Sequence, residues 1–102
     1  MKVISIRMLR EFCGYSPHTD AEQPLKAWFD EAKKADWKTP QDVKAKYASA
    51  SIIKNNRVVF NIKGNDYRLV VAIAYKLQIV YIKFIDTHAV YDTIDVTTVD
   101  RS

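Results

Sequence analysis

Residues 57–92 read RVVFNIKGNDYRLVVAIAYKLQIVYIKFIDTHAVYD, and the reading of this stretch decides the fold. From Arg57 onward apolar residues recur with period two and are mostly β-branched or aromatic, the pattern of strands lying on a core. The pattern predicts strands near 57–62, 66–75 and 78–85, joined as an antiparallel meander. Gly64-Asn65 is a two-residue hairpin signal. If it forms the turn, Lys63 faces Asp66 and Asn61 lies directly opposite Arg68, on the same face of the sheet. The next turn, around Lys76 and Leu77, lacks such chemistry. A two-residue loop there places Lys83 opposite Val70 and diagonal to Arg68, whereas a slip of one residue moves Lys83 to the other face. In either register the third strand returns to the end where Arg68 sits, so Thr87 and His88 emerge there.

Upstream the period changes. Lys2 to Ile6 alternates like a short strand and runs into RMLREFCGY, where Leu9, Phe12 and Cys13 share a helical face and Gly14 supplies a stop. After a loop, Ser16 to Thr19, that contains Pro17, a second helix is expected. Its start is marked either by the capping-box spacing of Thr19 and Glu22 or by Pro24 at the first helical position. Leu25, Trp28, Phe29 and Ala32 form its core face, with Ala35 at the margin, and Lys26, Asp30, Glu31, Lys33 and Lys34 its wet one. Thr39-Pro40 is a strong N-cap and N1 pair and predicts a short helix from Pro40 to about Tyr47. Ala48 to Asn56 reads as a polar connector and Thr93 to Ser102 as an extended or loosely packed end. The expected fold class is therefore α+β: one domain over residues 1–102, with an N-terminal strand and helices packed on a twisted antiparallel sheet.

A chain of 102 residues supports a single core. Its 16 Lys and Arg against 12 Asp and Glu give a net charge of +4 and a pI of about 9.2, which favours a polyanionic partner. One cysteine, Cys13, permits no internal disulfide and suits a reducing cytosol as a small buried residue. No secretory h-region opens the chain, and Lys76 and Lys83 interrupt its most apolar segment well short of the ~20 residues of a membrane span. A cytoplasmic protein without membrane contact is the expectation. One cysteine and two distant histidines give no metal-site spacing, and two glycines exclude a P-loop or dinucleotide fingerprint. Neither a metal nor a cofactor is expected.

The residues that can carry chemistry are Asn61, Lys63, Arg68, Lys83, His88 and Tyr91: cations and proton-transfer groups without a carboxylate cluster, an inventory suited to a phosphodiester. Arg68 is a cation near the start of an apolar strand, where burying charge is costly. It either pairs with Asp66 or Asp86, or binds a phosphate through its planar fork and stabilises charge in the transition state. His88 is either a surface histidine or, with Arg68 beside it, a general acid or base. Tyr91, three residues on, shares one side of a helical turn with His88 and can orient a phosphate, stack on a base or simply cover the sheet edge. Lys63 and Lys83 are electrostatic support on the Arg68 face, and Asn61 positions a nucleotide. Asp92 is a cap or a partner for a nearby cation, His18 is structural, and Trp28-Phe29 is packing. Lys33, Lys34, Lys44 and Lys46 form a solvated surface.

Asn61, the Gly64-Asn65 turn with Tyr67 and Arg68, and Thr87-His88 followed by Tyr91-Asp92 resemble the HigB-type toxins of the RelE-like superfamily. The similarity extends over roughly the whole chain and is strongest in residues 57–92; residues 1–20 match only in layout. It implies a RelE-like fold and a toxin of a type II toxin–antitoxin pair. It further implies a metal-independent endoribonuclease that cleaves mRNA, usually on the translating ribosome, with a helix-turn-helix (HigA-like) antitoxin as partner. In that chemistry the ribose 2′-hydroxyl attacks the adjacent phosphate. Arg68 would then serve the scissile phosphate, His88 the proton transfer, Lys63 and Lys83 electrostatic support, and Asn61 and Tyr91 nucleotide positioning. The sheet region has no second histidine, so the general base is unassigned. The competing function is a non-catalytic module that grips RNA, the ribosome or a protein and blocks translation without cutting.

Overall fold

The period-two block forms the centre of the molecule. A computed structural model of the chain describes residues 1–15 and 17–102, so the loop expected from Ser16 begins outside the described residues. Three long strands, β3 (Arg57–Ile62), β4 (Tyr67–Ala74) and β5 (Ile79–Thr87), make the antiparallel meander. A short β1 (Lys2–Ile4) and a short β2 (Ser51–Ile53) complete a five-stranded sheet in the order β1-β5-β4-β3-β2. β1 runs parallel to β5, with Val3 opposite Val80, so the sheet is mixed; β1 is not joined to β5 by a hairpin and is free to add in that direction.

The first hairpin has the register that its turn dictates, with Asn61 opposite Arg68 and Ile62 opposite Tyr67. Lys63 and Gly64 both take positive φ, 51° and 64°, and the amide of Asp66 closes the turn on the carbonyl of Lys63 at 3.2 Å. The second hairpin keeps the register of a two-residue loop as far as Val71 opposite Ile82. There it shifts by one, so that Val70 faces Phe84 and Lys83 is the extra residue of a β-bulge.

Alternation sends the two sides of the sheet to different layers. Val58, Phe60, Ile62, Leu69, Val71, Ile73, Val80, Ile82 and Ile85 meet the helices α1 (Ile6–Cys13), α2 (Glu22–Lys34) and α3 (Pro40–Lys46) through Leu9, Leu25, Trp28, Ala32 and Val43. Trp28 and Phe60 are fully buried at the centre, with ring centroids 5.4 Å apart. The helix starting at Pro40 has its expected cap: Thr39 accepts from the amide of Asp42, whose carboxylate accepts from the amide of Thr39.

Three local expectations change. The segment 48–56 is not only a connector, because Ser51–Ile53 pairs with β3 and supplies an edge strand. The second helix opens without a side-chain cap. A 3-10 turn, His18–Ala21, precedes it and puts Ala21 in helical geometry, so the amide of Glu22 bonds to the carbonyl of Thr19 and no capping box forms. Pro24 falls third in the helix, where its missing N–H is one of the donors a first turn leaves free anyway.

The largest difference is the tail, which folds back over the other side of the sheet. Ile94, Val96 and Val99, with Val90 and Tyr91 of α4 (His88–Tyr91), cover buried Val59, Val70 and Phe84. A side chain of this kind contributes roughly 1.5–3 kcal/mol when fully buried, and these tail residues, partly buried, contribute a part of that each, together enough to hold a short segment down. Arg57, only 9 % exposed, donates Nη1 to the carbonyls of Val96, at 3.2 Å, and Val99, and so anchors the tail to β3.

Candidate functional site

Asn61, Arg68 and Tyr91 come together on the tail-covered face, and Lys83 lies on the same face beside the tail. Asn61 and Arg68 are cross-strand partners, and Arg68 is in turn opposite Asp86 of β5. The two-residue-loop register already sets Lys83 on the Arg68 side, and the bulge brings its neighbour Phe84 to that same side, where a regular ladder would have alternated them. Thr87 caps α4, its hydroxyl accepting from the amide of Val90 at 3.3 Å. The amide of His88 donates to the carbonyl of Asp66 at 3.1 Å, so the start of α4 is tied to the hairpin loop that precedes Arg68.

Arg68 is half-buried and forms no ion pair among the described residues. Its Nη1 donates to the carbonyls of Asn65, at 3.0 Å, and Tyr67, at 3.4 Å, and its Cζ lies 5.8 Å from the centre of the Tyr91 ring. A guanidinium has five N–H donors, so most of the fork is left for another acceptor. The two carboxylates expected as its ordinary partners are engaged elsewhere: Asp66 with Lys63 at 3.3 Å, and Asp86 with Arg101 at 3.1 Å.

His88 is exposed, and its Nδ1 is 3.1 Å from Oδ2 of Asp92 one turn on. That contact engages Nδ1 and leaves Nε2 as the other ring nitrogen for proton transfer. The partner of Asp92 is thus the His88 imidazole. Asn61 reaches the carbonyl of Ser49 at 3.4 Å.

Lys63 does not join this face. Its positive φ turns it out of the strand, and Nζ is held by Asp20, at 2.8 Å, and Asp66 beside the 3-10 turn. Asp20 also accepts from the hydroxyl of Tyr67, which points to the helix layer. The hydrogen bonds from Lys63 and Tyr67 hold the Asp20 carboxyl below its ordinary range, and the bonds of Lys63 to Asp20 and then Asp66 raise the lysine. Tyr67 is pushed up to about 12, mainly by its bond to the Asp20 carboxylate. His18 stacks on Phe12 with centroids 4.4 Å apart, a packing role.

Three residues of this face carried no expectation. Arg57 begins an apolar strand as Arg68 does, and that shared pattern was the available signal. Asp100 and Arg101 lie in a polar tail and had none. Asp100 pairs with Lys83 at 3.2 Å, and its carboxyl is pulled down to about 2, first by the hydroxyl and amide of Ser102 and then by Lys83. Among the described residues no three His, Cys, Asp or Glu side chains gather as a metal site, and no helix is long and apolar enough to cross a membrane.

Comparison with known families adds one match: the model of HigB_toxin, the RelE-like toxic component of a toxin–antitoxin system, covers residues 21–94. The matched span runs from the start of α2 to the first residues of the tail and contains all six candidate residues. No curated protein matches the chain.

Proposed function

Because this chain belongs to the HigB toxin family, the RelE-like toxic components of toxin–antitoxin systems, we propose that it is an endoribonuclease that cleaves mRNA and so inhibits translation. A toxin of this family has a cognate antitoxin, and a helix-turn-helix, HigA-like protein is the partner we assign. Translating ribosomes are the proposed setting and the cytoplasm the compartment.

The observation that carries the reading is the unpaired fork of Arg68, held by two carbonyls and the ring of Tyr91, whose short helix also carries the exposed His88, paired with Asp92. In-line attack by a ribose 2′-oxygen forms a bond to phosphorus while the bond to the 5′-oxygen breaks. Negative charge grows on the non-bridging oxygens, where a planar bidentate donor acts best. The 2′-hydroxyl proton must leave and the 5′-oxygen must gain one. His88, through Nε2, carries the second transfer as an imidazolium, or the first as a neutral ring, with Asp92 fixing its orientation. The products are a 2′,3′-cyclic phosphate and a 5′-hydroxyl.

Tyr91 and Asn61 flank Arg68 and supply a ring for stacking and an amide for a base edge. Lys83 adds charge at a site that Asp100 occupies in the free protein, so RNA must displace that carboxylate to use it. Lys63 contributes at longer range, because two carboxylates neutralise it locally.

Sequencing transcript 5′ ends after induction without the antitoxin tests the reading. Cleavage predicts new 5′-hydroxyl ends inside coding regions. Arrested translation with no new ends would establish the non-catalytic binder instead.

A further inference from the structure

Asp86 poses a problem for the site just described. It stands directly across the β4–β5 ladder from Arg68 on one face, with a side chain only 21 % exposed, and opposite charges so placed normally pair. Arg68 nevertheless bonds only to carbonyls, because Asp86 is already occupied. Its Oδ1 accepts from the amide of Thr87 at 2.7 Å and its Oδ2 from Nη1 of Arg101 at 3.1 Å.

Arg101 is delivered to that position by several contacts. Arg57 pins the carbonyls of Val96 and Val99, the amide of Arg101 donates to the carbonyl of Lys83 at 2.8 Å, and the Arg101 guanidinium lies 4.6 Å over the ring of Phe84. The bulge at Lys83 contributes as well, since it leaves a strand carbonyl for the tail to meet.

We infer that Arg101 is a positioning residue for RNA cleavage: by taking up the Asp86 carboxylate it keeps the guanidinium of Arg68 unpaired and open to a phosphate. The inference rests on the proposed nuclease reading. Without Arg101, Asp86 is a free carboxylate directly across the ladder from Arg68, and each substrate phosphate must first displace it. The same carboxylate then also faces the incoming phosphate with an uncompensated negative charge.

The test uses the full chain with Arg101→Ala, Arg101→Lys, Asp86→Asn and the double variant Arg101→Ala/Asp86→Asn. Arg101→Ala should lower kcat/KM for RNA cleavage roughly 5- to 30-fold, the scale of one partly buried ion pair that has to be broken. Arg101→Lys should keep most of the rate. The double variant should recover to within about 3-fold of Asp86→Asn alone, because the competing carboxylate is gone. A merely structural role for the tail, or direct contact of Arg101 with RNA, gives no such rescue. A double variant as impaired as Arg101→Ala therefore overturns the inference, as does an Arg101→Ala protein with wild-type activity. NMR of the Arg68 Nε–H separates this from the nuclease reading, since no RNA is involved. In Arg101→Ala that resonance should follow the titration of Asp86, and in the wild type it should not. A resonance that ignores Asp86 in both proteins overturns the inference even if RNA is cut. A wild type that cuts no RNA while the NMR arm succeeds overturns the nuclease reading alone.

Discussion

Replacing Arg68 with Gln separates stability from function, because the structure assigns the two very different sizes. The native guanidinium makes hydrogen bonds of 3.0 and 3.4 Å to the carbonyls of Asn65 and Tyr67 and lies 5.8 Å from the Tyr91 ring. Asn65 is exposed and Arg68 itself half-buried, so the shorter of the two bonds is open to water. About 1 kcal/mol for the hydrogen bonds and ~0.5–1 kcal/mol for the ring contact give a stability cost of about 1–2 kcal/mol. In a domain of this size that lowers the melting temperature by about 4–8 °C per kcal/mol, so Arg68→Gln remains folded at growth temperature. Removing a preorganised charged donor from a developing oxyanion costs ~10²–10³ in rate. Thermal unfolding paired with cleavage of a defined mRNA therefore predicts a folded protein at least 100-fold slower than wild type, with Arg68→Lys in between because it keeps the charge and loses the fork. Cleavage within a few-fold of wild type would refute the assignment of Arg68 to the phosphate. Loss of the folded state would refute the energetic account of its surroundings.

His88→Ala should reduce single-turnover cleavage ~10²–10⁴-fold with little change in RNA affinity, and wild-type turnover would remove His88 from the proton transfer. Thr87→Ala deletes the cap of α4 at 3.3 Å from Val90; a cost of about 0.5–2 kcal/mol falls on the turn that holds His88 and Tyr91, so hydrogen exchange should rise there and leave β4 protected. The Asp100 carboxyl, at about 2 in the folded chain against 3.8 ordinarily, is held down first by Ser102 within the tail and then by Lys83; the Lys83 contact, which ties the tail to the sheet, acts in full above pH 3.8 and is lost as pH falls toward 2. The Arg101 amide should accordingly exchange faster in acid relative to the Val71 amide, and Asp100→Asn should reproduce this at neutral pH. Lys63→Ala should leave RNA cleavage near the wild-type rate, since its charge is already met by Asp20 and Asp66; a loss approaching that of Arg68→Gln would return Lys63 to the site.

What was legible in the chain follows from the range of the forces involved. Gly64-Asn65 is a local signal with one geometric solution, so the register that sets Asn61 against Arg68 could be read directly. Thr39-Pro40 was legible for the same reason, as cap and first helical residue are neighbours. The bulge at Lys83 has no glycine to mark it, and yet it decides which face Phe84 occupies; the pairing of Val70 with Phe84 is a matter of packing. β2 is three residues long, too short for a period to show. The tail could not be placed from pattern at all, because Ile94, Val96 and Val99 are scattered among Thr and Asp, and their docking depends on a buried Arg57 far away in the chain. The candidate site was thus visible as an inventory and a register. The carboxylates that isolate Arg68 from its neighbours were visible only as residues, since their partners, Lys63 and Arg101, are set by tertiary contacts.

The end groups left on RNA by the purified chain test the central claim most directly. Incubated with mRNA in chelator, on ribosomes and free, the wild type should yield 5′-hydroxyl and 2′,3′-cyclic phosphate ends, and Arg68→Gln should yield neither at a comparable rate. Intact RNA in both settings, or ends bearing a 5′-phosphate, would contradict attack by the 2′-hydroxyl and with it the roles given to Arg68 and His88.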